Sequence, residues 1–108
     1  MKVLDVTLVD AVQKFVGERI RQIEEENFTY ENDDKYKNGE LAQAAAAYAA
    51  HASLCETVRQ FASVPPMWPV SWDRSWWKPT TPERDLAKAG ALIVAELQRL
   101  DRKAKKEV

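Results

Sequence analysis

The sequence is poor in the residues on which several classes of site depend. Its 108 residues include one cysteine, one histidine and three glycines. A single cysteine excludes an intrachain disulfide and the multi-cysteine zinc patterns, and it fits a reducing compartment. The few glycines form no phosphate-binding loop, and no serine stands in a nucleophile elbow. The sequence therefore contains no recognisable catalytic motif, and we expect a protein that is not an enzyme and holds neither metal nor cofactor.

An excess of one charge and long apolar runs are also missing. Sixteen Lys and Arg stand against seventeen Asp and Glu, which gives a formal net charge of −1. Such a chain has no global positive field to hold a nucleic-acid backbone. No run approaches the roughly eighteen apolar residues of a membrane span, and the first ten residues contain acids where a signal peptide would be apolar. These features predict a soluble, cytoplasmic protein that binds neither DNA nor membranes.

Prolines and tryptophans, by contrast, are concentrated in one segment. All five prolines and all four tryptophans lie between positions 65 and 82. Proline fixes its own φ and has no N–H to donate, so this segment is predicted to be a structured loop over residues 63–81. Loops of this length are uncommon in compact domains and are often functional where they occur.

The remainder of the chain has the pattern of helices. The first helix is predicted from Leu8 to about Glu26, and its apolar stripe consists of Leu8, Ala11, Val12, Phe15, Ile20 and Ile23. Thr7 and Asp10 are the expected cap and first-turn acid. The second helix is predicted to begin near Asn38 and Gly39 and to continue towards Pro65, because it contains no internal Gly or Pro.

The third helix has the clearest boundaries. Thr80 or Thr81 is the expected cap, and Pro82 suits the first turn. Its predicted core stripe consists of Leu86, Ala89, Ile93, Leu97 and Leu100. We therefore predict an all-α fold, a single helical domain over residues 1–108, with three long helices, a polar loop at 27–38 and a basic C-terminal tail from about residue 102. Because alanines limit the core of so small a domain, homo-oligomers are expected.

Two polar groupings have more than one interpretation. Asp33 and Asp34 in the polar loop lack the ligand spacing and central glycine of a calcium loop. They either belong to a solvated turn that caps the second helix or face a ligand. His51 and Cys55, four residues apart on one predicted helix, are interpreted as core packing, since no further Cys or His exists to complete a metal site.

The aromatic loop leads into a basic helix start, and this combination suits a planar, phosphorylated ligand. We expect Trp76 or Trp77 to stack on a base, and Lys78, Arg84 and Lys88 to hold phosphate beside the helix N-terminus. Further ribose contacts or closure of the mouth are expected from Arg19, Asp33, Asp34 and Tyr36. In the alternative interpretation the indoles simply fill the core, since each buries on the order of 150 to 250 Å². The two interpretations are compatible.

Two blocks of the sequence resemble a family of small proteins encoded by tailed phages and prophages. They are ERIRQIEEENFTYENDDKYKNGELAQAAAAYA and WPVSWDRSWWKPTTPERDLAKAGALIVAELQRLDR, and the likeness covers roughly positions 18 to 102. Asn27, Phe28 and Asn32 stand where members of that family commonly carry Gly, Trp and His, so the resemblance implies no catalytic histidine there. More weakly, the order of motifs is similar to ryanodine-receptor-type (RyR) repeat domains, whose bacterial members are suspected nucleotide-ligand modules.

These resemblances imply a role among phage proteins that sequester the nucleotide signals of host immune systems such as Thoeris and CBASS. The first hypothesis is accordingly a non-catalytic protein of an infected or lysogenic host cell that binds an ADP-ribose-type or cyclic nucleotide signal to counter defence. The second is a phage structural or protein-interaction module that docks through its helices. The third is a nucleotide hydrolase that uses Asp33, Asp34 and Glu40.

Overall fold

The chain folds into helices joined by two irregular segments. A computed structural model describes residues 5–107. The helices are α1 (Val6–Glu25), α2 (Tyr30–Asp33), α3 (Glu40–Ala52), α4 (Glu56–Phe61) and α5 (Pro82–Lys106), with one 3-10 turn at Arg74–Trp76. No strand occurs in this range, and the predicted all-α class with three long helices is confirmed. Residues 1–4 and 108 of the predicted domain lie outside the described part.

Local side-chain chemistry sets where the long helices begin and end. Asp5, rather than Thr7 with Asp10, caps α1 and accepts a 2.8 Å hydrogen bond from the Thr7 backbone N–H. The predicted cap of α5 is confirmed, because the Thr81 hydroxyl accepts from the Arg84 N–H at 3.2 Å and Pro82 occupies the first helical position. The basic residues from 102 onwards are not a separate tail, since α5 continues through Lys106.

The predicted unbroken second helix is wrong, because the chain leaves it after Ala52. The Ser53 hydroxyl donates to the Ala50 carbonyl at 2.6 Å, and the Ser53 and Leu54 N–H groups bond three residues back. A serine that bonds backbone carbonyls in this way competes with the helical pattern. A new helix, α4, starts after Cys55, so Cys55 is exposed and does not share a helical face with the buried His51.

The core forms where α3 packs on α5, with the aromatic loop against one side. Both helices turn small side chains towards this contact: Ala44, Ala45 and Ala47 on α3, and Ala87, Ala91 and Ala95 on α5. Small side chains let two helix backbones approach closely and leave room for large neighbours. Phe28, Tyr48, Trp68 and Trp72 fill that room and complete the cluster.

Most of the apolar residues predicted to form the core on the first and third helices are instead exposed, although Ala89 is buried as predicted and Ile23 is half-buried. On α5, Leu86 and Ile93 are each 50% exposed and Leu97 is 62% exposed. Because the alanine-rich face of α5 packs against α3, its bulkier aliphatic face is left outside. On α1 the buried residues are Arg19 and Gln22, which are both polar. Within the described range no helix is long and apolar enough to cross a membrane.

Helix α1 packs on α5 at a glycine. A Cβ built on Gly90 would overlap the ring of Phe15, so only glycine allows this approach. Gly17, also on α1, has no atom within 4 Å of such a Cβ. The two glycines are therefore a matched pair, one at a close helix contact and one in open space.

We expect opposite effects from alanine at these two positions. Gly17→Ala should raise the free energy of unfolding by about 0.5 to 1 kcal/mol, because alanine is the better helix former. Gly90→Ala gains the same propensity but forces Phe15 away, and overpacking of this kind costs about 1 to 3 kcal/mol. Urea titration followed by circular dichroism measures both, and equal stabilisation by the two variants would contradict the close contact.

Candidate functional site

A cavity of about 230 Å³ lies between the C-terminal half of α1, the α3–α5 layer and the aromatic loop. Its walls divide into an aromatic side and a charged side. The aromatic side is built by Phe28, Tyr48, Trp68, Trp72 and Trp76. The polar side is built by Arg21, Gln22, Glu25, Glu26, Asn32, Lys78 and Lys88.

The aromatic rings form one connected cluster. The ring centroids of Trp72 lie 5.5 Å from those of Trp68 and Trp76, and 6.0 Å from that of Phe28. Trp68 and Trp72 are buried, whereas Trp76 is 46% exposed and leaves part of its ring accessible. The cluster is therefore part of the core and also lines the cavity, whereas stacking of an indole on a base stays a prediction.

Tyr48 ties the aromatic loop to α3. Its hydroxyl accepts from the Lys78 N–H at 3.1 Å and donates to the Trp76 carbonyl at 3.4 Å. Burial raises the pKa of Tyr48 to about 12, so the phenol stays neutral and keeps its proton for the carbonyl. This pair of bonds fixes the backbone on both sides of Trp77 and positions Trp76 and Lys78 at the cavity.

Lys88 is the buried charge of the cavity. Its side chain enters from α5, its ammonium donates to the Lys78 carbonyl, and it lies 5.5 Å from the ring centroid of Tyr48. The residue is 6% exposed, and among the described residues it forms no ion pair. Burial, followed by the charge of Arg84, lowers the pKa of Lys88. The ammonium uses one of its three donors, and no carboxylate of the described residues lies within ion-pair distance of it, although the negative charges of Asp85 and Glu18 act on it from farther away.

The rim of the cavity carries charges of both signs. Arg21 lies 3.4 Å from Glu26 and 3.7 Å from Glu25, and the Lys78 ammonium lies 3.9 Å from Glu26. Since Lys78 and Glu25 are mostly exposed, these ion pairs rearrange at little cost in free energy. Glu26 thus stands where it competes with an incoming anion for Arg21 and Lys78.

Three cavity side chains also carry buried polar atoms without a hydrogen-bond partner in the described part of the chain. They are the indole N–H groups of Trp68 and Trp72 and the amide oxygen of Gln22. A buried polar group without a partner costs about 1 to 3 kcal/mol. Three residues that line the cavity therefore carry donors or acceptors that are not paired within the described part of the chain.

Arg19 and Asp33, predicted near a ligand, instead form a buried ion pair. Arg19 Nη2 donates to Asp33 Oδ2 at 2.8 Å, and Arg19 Nε donates to Gln98 at 3.0 Å. Both side chains are at least 95% buried, and burial raises the pKa of Asp33 against the opposing effect of Arg19. This pair joins α1, α2 and α5 and does not line the cavity.

The remaining predicted residues are divided among other places. Asp34 accepts from Arg102 at 2.8 Å on the far side of α2, and that bond is the main cause of its lowered pKa. Tyr36 packs behind Trp72 with 4.9 Å between ring centroids. Trp77 packs against Tyr48, His51 and Trp68 inside the cluster. Of the predicted set, the structure brings Trp76, Lys78 and Lys88 to the cavity.

Arg84 and the N-terminus of α5 also lie outside the cavity. Arg84 Nε donates to Glu18 at 2.9 Å on the outer surface. The buried carboxylate of Asp85 accepts from the Thr80 N–H at 2.7 Å at the helix start. An acid of the chain itself thus occupies the helix end where a phosphate was expected.

The described residues contain no cluster of three or more His, Cys, Asp or Glu side chains that could hold a metal ion. His51 packs edge-on against Trp77 at 5.3 Å, and its Nδ1 has no partner in this range. The interpretation of His51 as a packing residue agrees with this environment, whereas Cys55 lies at the surface.

Sequence reasoning missed the contribution to the cavity of the C-terminal half of α1 and of Phe28, three residues beyond the end of that helix. A signal was available, because Arg19, Gln22 and Glu26 continue the helical face of Leu8, Val12 and Phe15 at alternating spacings of three and four. Polar residues on the core face of an amphipathic helix are unusual and indicate partners or a site.

Comparisons with protein-family models, curated proteins and solved structures find no match to this chain.

The role of Tyr48 is tested by Tyr48→Phe, with Tyr30→Phe as the control. Removing the Tyr48 hydroxyl leaves the Lys78 N–H and the Trp76 carbonyl without their partner, and we expect a loss of about 1 kcal/mol in the free energy of unfolding. Acrylamide should also quench the tryptophan fluorescence more strongly. Tyr30 is half exposed and its ring lies beside Arg102, a contact that phenylalanine keeps, so the control should change neither measurement.

Proposed function

We propose that this protein binds and sequesters a nucleotide-derived signalling molecule without transforming it. The observation that carries the proposal is the buried Lys88 ammonium, which has no carboxylate partner among the described residues and faces a cavity walled by aromatic rings. A buried charge is costly unless it is paired, and an anionic ligand would pair it. The same ligand would cover the exposed part of the Trp76 ring.

The size and wall of the cavity suit a bicyclic ring. A dry protein cavity of about 150 Å³ holds benzene, so about 230 Å³ has room for a purine. Stacking of a base on an aromatic side chain contributes about 1 to 3 kcal/mol. Gln22 carries an acceptor and the two buried indoles carry donors that have no partner among the described residues, and a nucleobase edge that reached these atoms would pair them. The remainder of a nucleotide would extend over the rim.

The positions of the cations support a pose in which the anionic part of the ligand lies at the junction of α5 and the aromatic loop. Lys88 is inside, and Lys78 and Arg21 are on the rim beside it. Charge-assisted hydrogen bonds from such groups to phosphate oxygens are about twice as strong as neutral ones. The proposed pose therefore has the base against Trp76 and Phe28 and a phosphate between Lys88 and Lys78.

None of the three acids of the hydrolase hypothesis lines the cavity, which favours sequestration over that mechanism. Asp33 and Asp34, the acids of the hydrolase hypothesis, are engaged by Arg19 and Arg102 away from the cavity. The third acid, Glu40, accepts from the Asn38 N–H at 2.7 Å. The resemblance of the sequence to phage proteins supports a host immune signal, of the ADP-ribose or cyclic nucleotide kind, as the ligand.

The proposal is tested by calorimetric titration with ADP-ribose isomers and cyclic dinucleotides. We expect at least one of them to bind with Kd below about 10 μM, roughly −7 kcal/mol. Lys88→Met and Trp76→Ala should each weaken binding about tenfold or more, a loss of about 1.4 kcal/mol. Arg84→Gln, a cation change outside the cavity, is the matched control and should leave Kd unchanged.

Two outcomes would contradict the proposal. If none of these ligands binds, or if Arg84→Gln weakens binding as much as Lys88→Met, the cavity is not the site. Chromatography of the ligand after long incubation with the protein and magnesium tests the second half of the proposal. The ligand should be recovered unchanged, and accumulation of product would favour the hydrolase.

The variant Glu26→Gln tests whether the ligand is an anion or a cation. Removing this carboxylate frees Lys78 and removes repulsion, while Arg21 keeps its ion pair with Glu18, so an anionic ligand should bind about threefold to tenfold more tightly. Because burial lowers the pKa of Lys88, the affinity of the wild type should also fall as the pH rises, before an ordinary lysine side chain would lose its proton. Lys88→Met should lack this fall. A cationic ligand would show weaker binding to Glu26→Gln and would overturn the proposed pose.

A second candidate function, docking to a macromolecule, is favoured by the aliphatic residues exposed on α1 and α5. The two candidates differ in their response to ligand. If the protein docks through its helices, nucleotides should leave the tryptophan fluorescence unchanged. If a nucleotide binds in the cavity, it should quench the fluorescence, because Trp76 is half exposed there.

A further inference from the structure

The charged side chains that line the cavity leave one positive charge in surplus. They are three cations, Arg21, Lys78 and Lys88, and two acids, Glu25 and Glu26. Arg21 lies 3.7 Å from Glu25, and Lys78 lies 3.9 Å from Glu26. Among the described residues no carboxylate lies within ion-pair distance of Lys88. The two acids thus pair with the two rim cations, and the surplus charge belongs to Lys88.

Two acids behind the cavity wall are balanced by groups of their own. Glu18 lies 2.9 Å from Arg21, and it also lies 2.9 Å from Arg84 on the outer surface. Asp85 accepts from the Thr80 N–H near the N-terminus of α5, where the helix dipole offsets a negative charge. Neither acid lines the cavity. The wall therefore presents close to one net positive charge to a ligand.

The surplus charge is buried, whereas the two acids lie nearer to solvent. Lys88 is 6% exposed, and the side chains of Glu26 and Glu25 are 28% and 67% exposed. Burying an unpaired charge is costly, and the cost rises with the square of the net charge that is buried. A ligand group with one negative charge would neutralise Lys88. A group with two negative charges would leave one of them unbalanced beside Glu25 and Glu26.

The phosphate groups of nucleotides fall into two classes by this criterion. An internal phosphate, bonded through two of its oxygens as in a phosphodiester, carries one negative charge. A terminal phosphate, bonded through one oxygen, carries about 1.5 to 2 negative charges at pH 7, because its second pKa is about 6. Nucleoside monophosphates, diphosphates and triphosphates all end in a terminal phosphate, whereas cyclic nucleotides and ADP-ribose contain internal phosphates only.

We propose that the cavity selects nucleotides that contain only internal phosphates over those with a terminal phosphate, and that Glu26 is the residue responsible. The inference rests on the proposed function, since it takes a nucleotide as the ligand. Specificity arises from repulsion of the wrong ligand as well as from attraction of the right one. Glu26 is less exposed than Glu25, so solvent screens its charge less. Such selectivity keeps the cavity free for a signal in the presence of ordinary nucleotides.

The wild-type protein tests the inference by calorimetric titration with two pairs of ligands at about pH 7.5. AMP is compared with its 5′-methyl ester, which differs from it by one methyl group and one charge. ADP is compared with ADP-ribose, in which the added ribose turns the terminal phosphate into an internal one. We expect the member with internal phosphates to bind about tenfold more tightly in each pair.

Lowering the pH from about 7.5 to about 5.5 separates the charge of the ligand from its shape. AMP gains a proton over this range and becomes singly charged, so its affinity should rise towards that of the methyl ester. Protein groups that titrate in the same range change both affinities. The ratio of the two Kd values therefore reports on the proton of the ligand.

The variant Glu26→Gln tests the residue. It should reduce the ratio of Kd values in each pair to about threefold or less, because the carboxylate repels a doubly charged phosphate more than a singly charged one. Glu24→Gln removes the same charge from an exposed position of α1 that does not line the cavity. This matched control should keep the wild-type ratio.

The outcomes separate this inference from the proposed function. If AMP and ADP bind as tightly as their partners, or more tightly, the inference is overturned while nucleotide binding stands. If folded Glu26→Gln keeps the wild-type ratio, the assignment to that carboxylate is overturned. If no ligand of either pair binds at about 1 mM, the proposed function fails and the inference fails with it. If circular dichroism shows that Glu26→Gln does not fold, the wild-type ratios and their pH dependence decide.

Discussion

The close contact between α3 and α5 is the constraint on which the rest of the structure depends. Alanines face each other across it, so the helix backbones approach closely and little aliphatic bulk fills the domain centre. The aromatic loop supplies the missing volume, and its prolines hold the indoles against the edge of the helix pair. The core thus combines two helices that carry small side chains with large aromatic rings. These parts leave a gap where the rings meet α1, and that gap is the cavity.

The sequence predicts the elements of this fold better than it predicts their orientation. Proline and tryptophan clustering locates the aromatic loop, and Thr81 with Pro82 locates the start of α5, because both signals are local. The buried face of α5 could not be predicted in this way, since its aliphatic stripe has the stronger helical periodicity. Burial followed the small side chains that fit α3, and periodicity does not report how closely two backbones can approach. The break at Ser53 was missed because serine is neutral in most helix positions.

The candidate site could be predicted only in part from the sequence, because several of its residues are distant from one another in the chain. Trp76, Lys78 and Lys88 are found from residue type and proximity in the chain, and they do line the cavity. Arg84 was grouped with them by its spacing of four from Lys88, yet it turns to Glu18 because that carboxylate lies on the neighbouring helix. Gln22 and Glu26 come from a distant part of the chain, and their nearness to the loop is a property of the crossing of α1 over α5.

The same crossing links the position of the cavity wall to a helix contact outside the cavity. Phe15 of α1 contacts Gly90 of α5 there, and this contact is the pivot for any tilt of α1. Gln22 in the cavity wall lies seven residues further along α1, about 10 Å away. A tilt of about 10° at the pivot moves the wall by about 2 Å, comparable to the radius of a water molecule. A side chain larger than glycine at position 90 would push on α1 and change the width of the cavity, although Gly90 itself does not line it.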